Sequence, residues 1–306
     1  MSLRASLCVL GLTVALTAQD SATRVRSNPP AAPGGAATRT AQQEVELLLA
    51  AAKRSDAVAF WNWLPVDHQR DIEGLVRELA TRVDQKTYDR TWQLLRRAAK
   101  VAMDKQQFVF ANPTISGYMR GDAEQTKNVK AAYSAVCRLV QECANSDLST
   151  LDGLRKFDGR SFMTKSGKPI LETLFTIARL QGQDPISTIE QTKVRTLDQD
   201  ADSARIEMRA PGKAPEVETF VLSGGRWLPA EMERDWQKNI EKMQAKIAAM
   251  PLAGDRQAAA QANLVLGTVE SYVRKFEECE SQADFDEVCA ELMALAGSGN
   301  QKARKR

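Results

Sequence analysis

Thr188 to Pro229 reads TIEQTKVRTLDQDADSARIEMRAPGKAPEVETFVLSGGRWLP, and it is the one clear run of consecutive strands in a chain of 306 residues. Ile206 and Met208 alternate with Glu207 and Arg209, the pattern of a strand with one apolar and one wet face. Val217, Thr219 and Val221 alternate with Glu218, Phe220 and Leu222, so this strand reads as buried more nearly on both faces. Gly224-Gly225 supplies the positive φ angles of a tight hairpin, and Trp227-Leu228 opens the returning strand. Asp198–Asp202 and Ala210–Pro215, the latter with Pro211, Gly212 and Pro215, mark the earlier turns. The stretch is therefore an antiparallel meander.

Helical periodicity lies on both sides of it. Upstream, apolar residues recur at helical spacing in sets: Val45, Leu48 and Leu49; Val58, Phe60 and Trp61 after an Asp56 cap; Ile72, Leu75, Val76, Leu79 and Val83. Tyr88, Trp92, Leu95, Ala99 and Met103 continue the series, followed by Val129, Ala132, Tyr133, Val136, Val140 and Cys143. Shorter elements follow around Leu151, Leu154 and Phe157, and Lys165–Pro169 reads as punctuation before a helix over 170–180 that Gly182 ends. Downstream, Met232, Trp236, Ile240, Met243 and Ile247 share one stripe. Val265 to Phe276 and Phe285 to Leu295 then form a helical hairpin that Gly297-Ser-Gly299 closes. The fold class is α+β, helix-dominated, with one small antiparallel β-meander (about 188–229) packed against flanking helices.

The N-terminus predicts export. Arg4 is followed by an apolar run, Leu7 to Thr17, too short to span a bilayer, and Leu16-Thr17-Ala18 is a small-residue cleavage site. The expected organisation is a signal peptide (1–18), a Pro/Ala/Gly linker (19–40) and a helical region (41–187). The meander with its helix (188–250), a helical hairpin (251–297) and a basic tail (298–306) complete it. The formal charge is +3. Setting aside Arg4, Arg24, Arg26, Arg39, Asp20 and the basic residues Lys302, Arg304, Lys305 and Arg306 leaves about −4 for residues 41–301. A mildly acidic body argues against nucleic acid as a partner. The mature chain has no candidate transmembrane segment.

Few residues suggest chemistry. His68, the one histidine, lies beside Asp67 and Asp71 at a helix start, where acids favour the dipole and water has access. One histidine without a nearby cysteine pair does not assemble a zinc site. No Gly-x-Ser-x-Gly elbow is present, and Ser166-Gly-Lys168 lacks the leading glycine of a phosphate loop. Asp198, Asp200 and Asp202 have the odd spacing of a calcium loop but not its glycine or its terminal glutamate. No catalytic, metal or cofactor residue is assigned, and no cofactor is expected. Phe60, Trp61, Phe220, Trp227 and Trp236 are core candidates that could also meet around a small apolar pocket.

Cys137, Cys143, Cys279 and Cys289 remain once Cys8 leaves with the leader. Cys137 and Cys143 are six apart on one helix, roughly 9 Å along its axis and too far for a bridge. Cys279 and Cys289 match poorly across the hairpin unless its helices cross obliquely, so either the pairs cross-link the middle helix to the terminal hairpin or some of the four are buried thiols; in an exported chain at least one disulfide is the expectation.

Val217-Glu-Thr-Phe220-Val-Leu222 leading through Gly224-Gly225-Arg226-Trp227-Leu228-Pro229 resembles the last hairpin of cystatin-like or nuclear-transport-factor-like α+β domains. The order of leader, spacer, helices, meander and helices is similar to that of exported bacterial proteins. The resemblance implies a binding or structural module of the cell envelope, with an unidentified protein or small apolar ligand as partner. A hydrolase or isomerase using a cystatin-like cavity, and an envelope assembly factor acting through helical contacts, are the alternatives.

Overall fold

Alternating polar and apolar residues bounded by glycine turns give the sheet, and apolar stripes three and four residues apart give the helices around it. The computed structural model describes residues 39–118 and 123–303. The expected signal peptide, linker residues 19–38 and residues 304–306 lie outside the described residues. The elements in order are α1 (Ala41–Lys53), α2 (Ala57–Trp63), α3 (Val66–Arg82), α4 (Gln85–Asp104), α5 (Gln106–Ala111), α6 (Pro113–Tyr118) and α7 (Ala123–Ala144). A 3₁₀ turn (Asp147–Ser149), α8 (Leu151–Arg155), α9 (Gly159–Phe162), a π turn (Met163–Gly167), α10 (Lys168–Leu180) and α11 (Pro185–Gln191) precede the sheet. The strands β1 (Lys193–Gln199), β2 (Ser203–Arg209), β3 (Glu216–Ser223) and β4 (Arg226–Pro229) run into α12 (Ala230–Ala248), α13 (Arg256–Glu278) and α14 (Gln282–Ala303).

The helix-dominated α+β class is what the structure has. The sheet is a plain antiparallel meander of order β1-β2-β3-β4, with Thr196 opposite Ile206, Ile206 opposite Glu218 and Leu222 opposite Trp227. Gly224 and Gly225 have φ of 54° and 78°, as a tight hairpin turn requires. The chain divides into two compact units. Among the described residues the first comprises 39–76, 158–172 and 184–248, and the second comprises 77–118, 123–157, 173–183 and 249–303.

In the first unit one sheet face carries Ala204, Ile206, Met208 and Phe220, and it packs with Trp227 against Ala41, Val45 and Leu49 of α1. Thr40 caps α1 in a full capping box with Gln43. The Gln42 side chain accepts from the Thr196 backbone N–H and hydroxyl at 3.0 Å each, which satisfies part of the open β1 edge. The reading of β3 needs correction. Val217 and Thr219 are exposed whereas Glu218 and Phe220 are buried, so one face is buried and not two. On β2 the Glu207 side chain is also covered, because Arg209 at 2.8 Å and Arg195 at 3.2 Å across the strand pair fold over it. These two guanidiniums, Arg209 foremost, hold the Glu207 carboxyl below the usual range.

Lys165–Pro169 does not break the chain as its composition suggests. The backbone passes from α9 through the π turn into α10. Gly167 carries no side chain there because a Cβ would lie 2.4 Å from that of Ala57.

In the second unit α4 is central. Leu94 and Val101 pack with Val273 of α13, and Arg97 ties to Glu277 at 2.7 Å along that seam. On another side Tyr133 of α7 donates to the Ala102 carbonyl at 2.9 Å. Arg96 donates to the Ala144 carbonyl at 2.8 Å, capping α7 at its C-terminal end. Phe285 and Val288 of α14 form a second cluster with Cys279, against which Phe108, Tyr272 and Phe276 pack. Asp284 and Ser281 exchange backbone-to-side-chain hydrogen bonds at 3.0 and 3.2 Å, the capping arrangement their spacing predicts. Gly297-Ser-Gly299 does not close the hairpin, since α14 continues to Ala303.

Candidate functional site

The one histidine is not at a wet helix start. His68 stands in the first turn of α3 yet is only 7% exposed. The preceding Pro65 lies against the β3–β4 turn, where a Cβ on Gly224 would come within 2.9 Å of it. That contact brings the start of α3 beside the first turns of α12. His68 Nε2 is 2.9 Å from Glu233 Oε2. The imidazole stacks on Trp236 with centroids 4.0 Å apart and planes 28° apart. Ser223, the last residue of β3, donates its hydroxyl to Glu233 Oε1 at 2.8 Å. The Trp236 indole N–H donates to Asp71 at 2.8 Å.

Each link has an elementary cause. Acids in the first turn of a helix are favoured by the amide dipoles, which places Glu233. Hydrogen bonds from His68 first, and from Ser223, hold the Glu233 carboxyl below the usual glutamate range against the opposing effect of burial. An ionised carboxylate only accepts, so the proton of this pair sits on His68 Nε2. Asp67, the other acid beside His68, reaches Arg70 at the surface instead.

The arrangement is a carboxylate flanked by a serine and a histidine. Nucleophilic catalysis by serine needs the imidazole on the hydroxyl. Here His68 contacts the opposite oxygen of Glu233, and the hydroxyl proton of Ser223 is given to the carboxylate. A clamp joining β3, α3 and α12 is what this connectivity makes. Because the Glu233 pKa is depressed on folding, its contribution is present above the ordinary carboxyl pKa and is lost as pH falls through the folded value. Glu233→Gln is accordingly expected to cost on the order of 1 kcal/mol at neutral pH, after discounting for partial exposure. Urea melts should show that difference closing as the pH is taken below about 4; a pH-independent difference would mean that the charge is not what the clamp uses.

The five aromatic candidates are all buried, between 2% and 8% exposed. Phe220 and Trp227 share the sheet core. Trp61 lies over Gly159, Trp236 on His68, and Phe60 within α2. Two clefts, of about 560 and 510 Å³, belong to the second unit. The first is lined by Gln106, Phe110 and Lys130 among others, the second by Asp104, Lys105, Glu277 and Glu280 among others, and no candidate aromatic lines either.

The cysteines depart from expectation: Cys137, Cys143, Cys279 and Cys289 are all free thiols. Cys137 and Cys143 stand on α7. Cys279 directs its Sγ to the Lys275 carbonyl of its own helix at 3.2 Å, while Cys289 packs against the cluster that holds Cys279. Burial pushes all four thiols up. Among the described residues no group of three or more His, Cys, Asp or Glu side chains could hold a metal ion, and no helix is long and apolar enough to cross a membrane.

Ser223 and Glu233 are the members of the cluster that sequence reasoning misses. Their only signals are a serine before a Gly-Gly turn and an acid in a first helical turn, both ordinary in those places. No protein-family model, curated protein or solved structure matches the chain.

Proposed function

We propose that this chain is an exported, non-catalytic binding or structural protein of the bacterial cell envelope, acting through the surface of its helices and not through an internal cavity. The observation that carries this reading is the exposure of apolar side chains on α13 and α14. Leu264 is 74% exposed, Val265 61%, Met293 51%, Val269 43% and Leu292 41%. A run of such residues on adjacent turns is an interaction surface by default. The hydrogen-bonding groups of the His68 cluster, by contrast, are directed at one another. In this reading the meander is a cystatin-like or nuclear-transport-factor-like element whose face is filled by α1. Export is supported by the apolar run and Ala18 cleavage site.

Complementation of a deletion strain tests it. His68→Gln should restore the phenotype, and Leu264→Ser/Val265→Ser should not, although an exposed pair of this kind changes stability by no more than about 0.5 kcal/mol per site. Intact mass of the envelope form should show the loss of about eighteen residues. A folded His68→Gln protein that behaves like the deletion would overturn the reading in favour of the cavity hydrolase or isomerase, for which the burial of His68 against Glu233 is the supporting observation.

A further inference from the structure

The sheet has one face filled by α1 and another on which β1 and β2 present charged side chains. Partners across a strand pair share a face. Lys193 lies opposite Arg209, Arg195 opposite Glu207 and Asp198 opposite Arg205, so all six stand on this second face. Only Glu207 among them is buried, and the two arginines are its cover. On β3 the face continues as Val217 and Thr219, both exposed. Glu216 and Glu218 stand opposite Met208 and Ile206 and so point to the other side.

The charge of this face is uneven. Its end at the β1–β2 turn is acidic, with Asp198, Asp200 and Asp202, and Arg205 is paired there with Asp198 at 3.1 Å. Its other end gathers Lys193, Arg195 and Arg209 around the carboxylate of Glu207. That carboxylate is an anchor. Arg209 reaches it through Nε at 2.8 Å and one Nη at 3.2 Å, and Arg195 through one Nη at 3.2 Å. A guanidinium carries five N–H donors, so both arginines keep donors that Glu207 does not use, and their side chains are 64% (Arg195) and 56% (Arg209) exposed. Lys193 is exposed and has no acidic partner among the described residues. It stands directly opposite Arg209, and like charges so placed weaken a strand pair. A bound anion removes that conflict.

We propose that Lys193, Arg195 and Arg209 form a docking site for an acidic peptide segment of a partner protein, laid extended across β1 and β2 at the end away from the Asp198 turn. This site is separate from the exposed face of α13 and α14 and adds a second surface to it. Charge complementarity selects the occupant. Side chains two apart on an extended segment repeat at about 6.6 Å. Lys193 and Arg195 have the same repeat along β1, so alternate acids of the segment meet both. Guanidinium forks match carboxylates, and two forks already held by a buried anchor lose less freedom on binding. Single-stranded nucleic acid fits less well, since its bases stack on aromatic rings and β1 to β3 expose none. A lipid surface also fits less well, since interfacial binding buries an apolar face and the large apolar side chains these strands expose are Leu197 and Val217 alone. The acidic turn repels the segment, which sets the end at which it lies.

The test is fluorescence anisotropy of a short labelled peptide with glutamate at alternate positions, titrated with the full chain. The peptide should bind, its counterpart with lysine in place of glutamate should not, and added salt should release it. Lys193→Glu should weaken binding at least roughly tenfold, because a like charge then faces the peptide. The same change sets opposite charges across the strand pair at Arg209, so its urea midpoint should be unchanged or higher. Lost binding in that variant is therefore not lost folding. Arg195→Gln should weaken binding by up to about fivefold. Arg304→Gln/Arg306→Gln and Leu264→Ser/Val265→Ser should leave it unchanged, which keeps this site distinguishable from the basic tail and from the α13–α14 face. No binding of the peptide, or binding that Lys193→Glu leaves intact, overturns the proposal. Loss of binding in either of the two double variants overturns it as well, by placing the peptide elsewhere. If labelled single-stranded DNA binds more tightly than the peptide and is lost in Lys193→Glu, the occupant is nucleic acid and the acidic-peptide assignment falls.

Discussion

Trp227→Ala is expected to cost about 3–5 kcal/mol, the range for removing a large aromatic side chain from a packed core. The side chain is 2% exposed and sits in the sheet core with Ile206, Met208, Phe220 and the α1 residues Val45 and Leu49. Its indole N–H donates to the Arg39 carbonyl at 2.9 Å, which ties down the chain where α1 begins. The Trp227 carbonyl in turn accepts from the Trp63 indole at 3.0 Å. Truncation therefore opens a cavity under the sheet and removes the donor from Arg39, a further loss of about 1 kcal/mol. Urea unfolding followed by far-ultraviolet circular dichroism gives the measurement. A loss under about 1 kcal/mol would mean that the sheet core collapses around the gap and that Trp227 is not what holds it.

That prediction follows from the sequence as well as from the structure, and the reason is local. A tryptophan directly after a Gly-Gly turn, on a four-residue strand, has little choice of direction once the hairpin register is set. The helices are legible for a similar reason. Asp56, Asp84 and Asp158 stand immediately before helices, and the structure shows each accepting from a backbone N–H three residues on. Where sequence reasoning goes astray, a distant partner decides. Glu207 looks solvent-facing from its place in the alternation, and it is covered because Arg195 and Arg209 reach across it. Gly297 and Gly299 look like helix stops, yet a glycine inside a helix costs only about 1 kcal/mol and does not force an end.

The His68 cluster is the least legible part, and the cause is separation along the chain. His68 and Glu233 are 165 residues apart, and neither position differs locally from a solvated first helical turn. What buries them is the contact of Pro65 with the hairpin turn at Gly224, a long-range event that no spacing within α3 or α12 encodes. The hairpin face is the converse case. The apolar positions of α13 and α14 read as a buried seam from their periodicity alone, because periodicity reports which face is apolar and not whether another helix covers it. Only the structure separates the packed Phe276–Phe285 end from the exposed Leu264–Val265 end.

Gly159→Ala should be among the most damaging small substitutions in the chain, at about 3 kcal/mol. Gly159 opens α9, and its N–H donates to Glu73 at 3.0 Å. A Cβ at this position would lie 2.1 and 2.2 Å from two carbons of the Trp61 ring. No backbone torsion requires glycine here, since its φ is not positive; the requirement is space. Trp61 is 3% exposed and cannot give way without displacing the core around α2, so overpacking and not conformational freedom sets the cost. Gly74→Ala supplies the opposite case. Gly74 lies in the middle of α3, and a methyl group there would meet no atom within 4 Å. Alanine at that position should therefore stabilise by about 0.5–1 kcal/mol through helix propensity and a less free unfolded chain. Thermal or urea melts of the two single variants then give opposite signs from one chemical change. A Gly159→Ala protein within about 0.5 kcal/mol of the wild type would show that the Trp61 ring can move aside, and with it that the contact between α2 and α9 is looser than close packing demands.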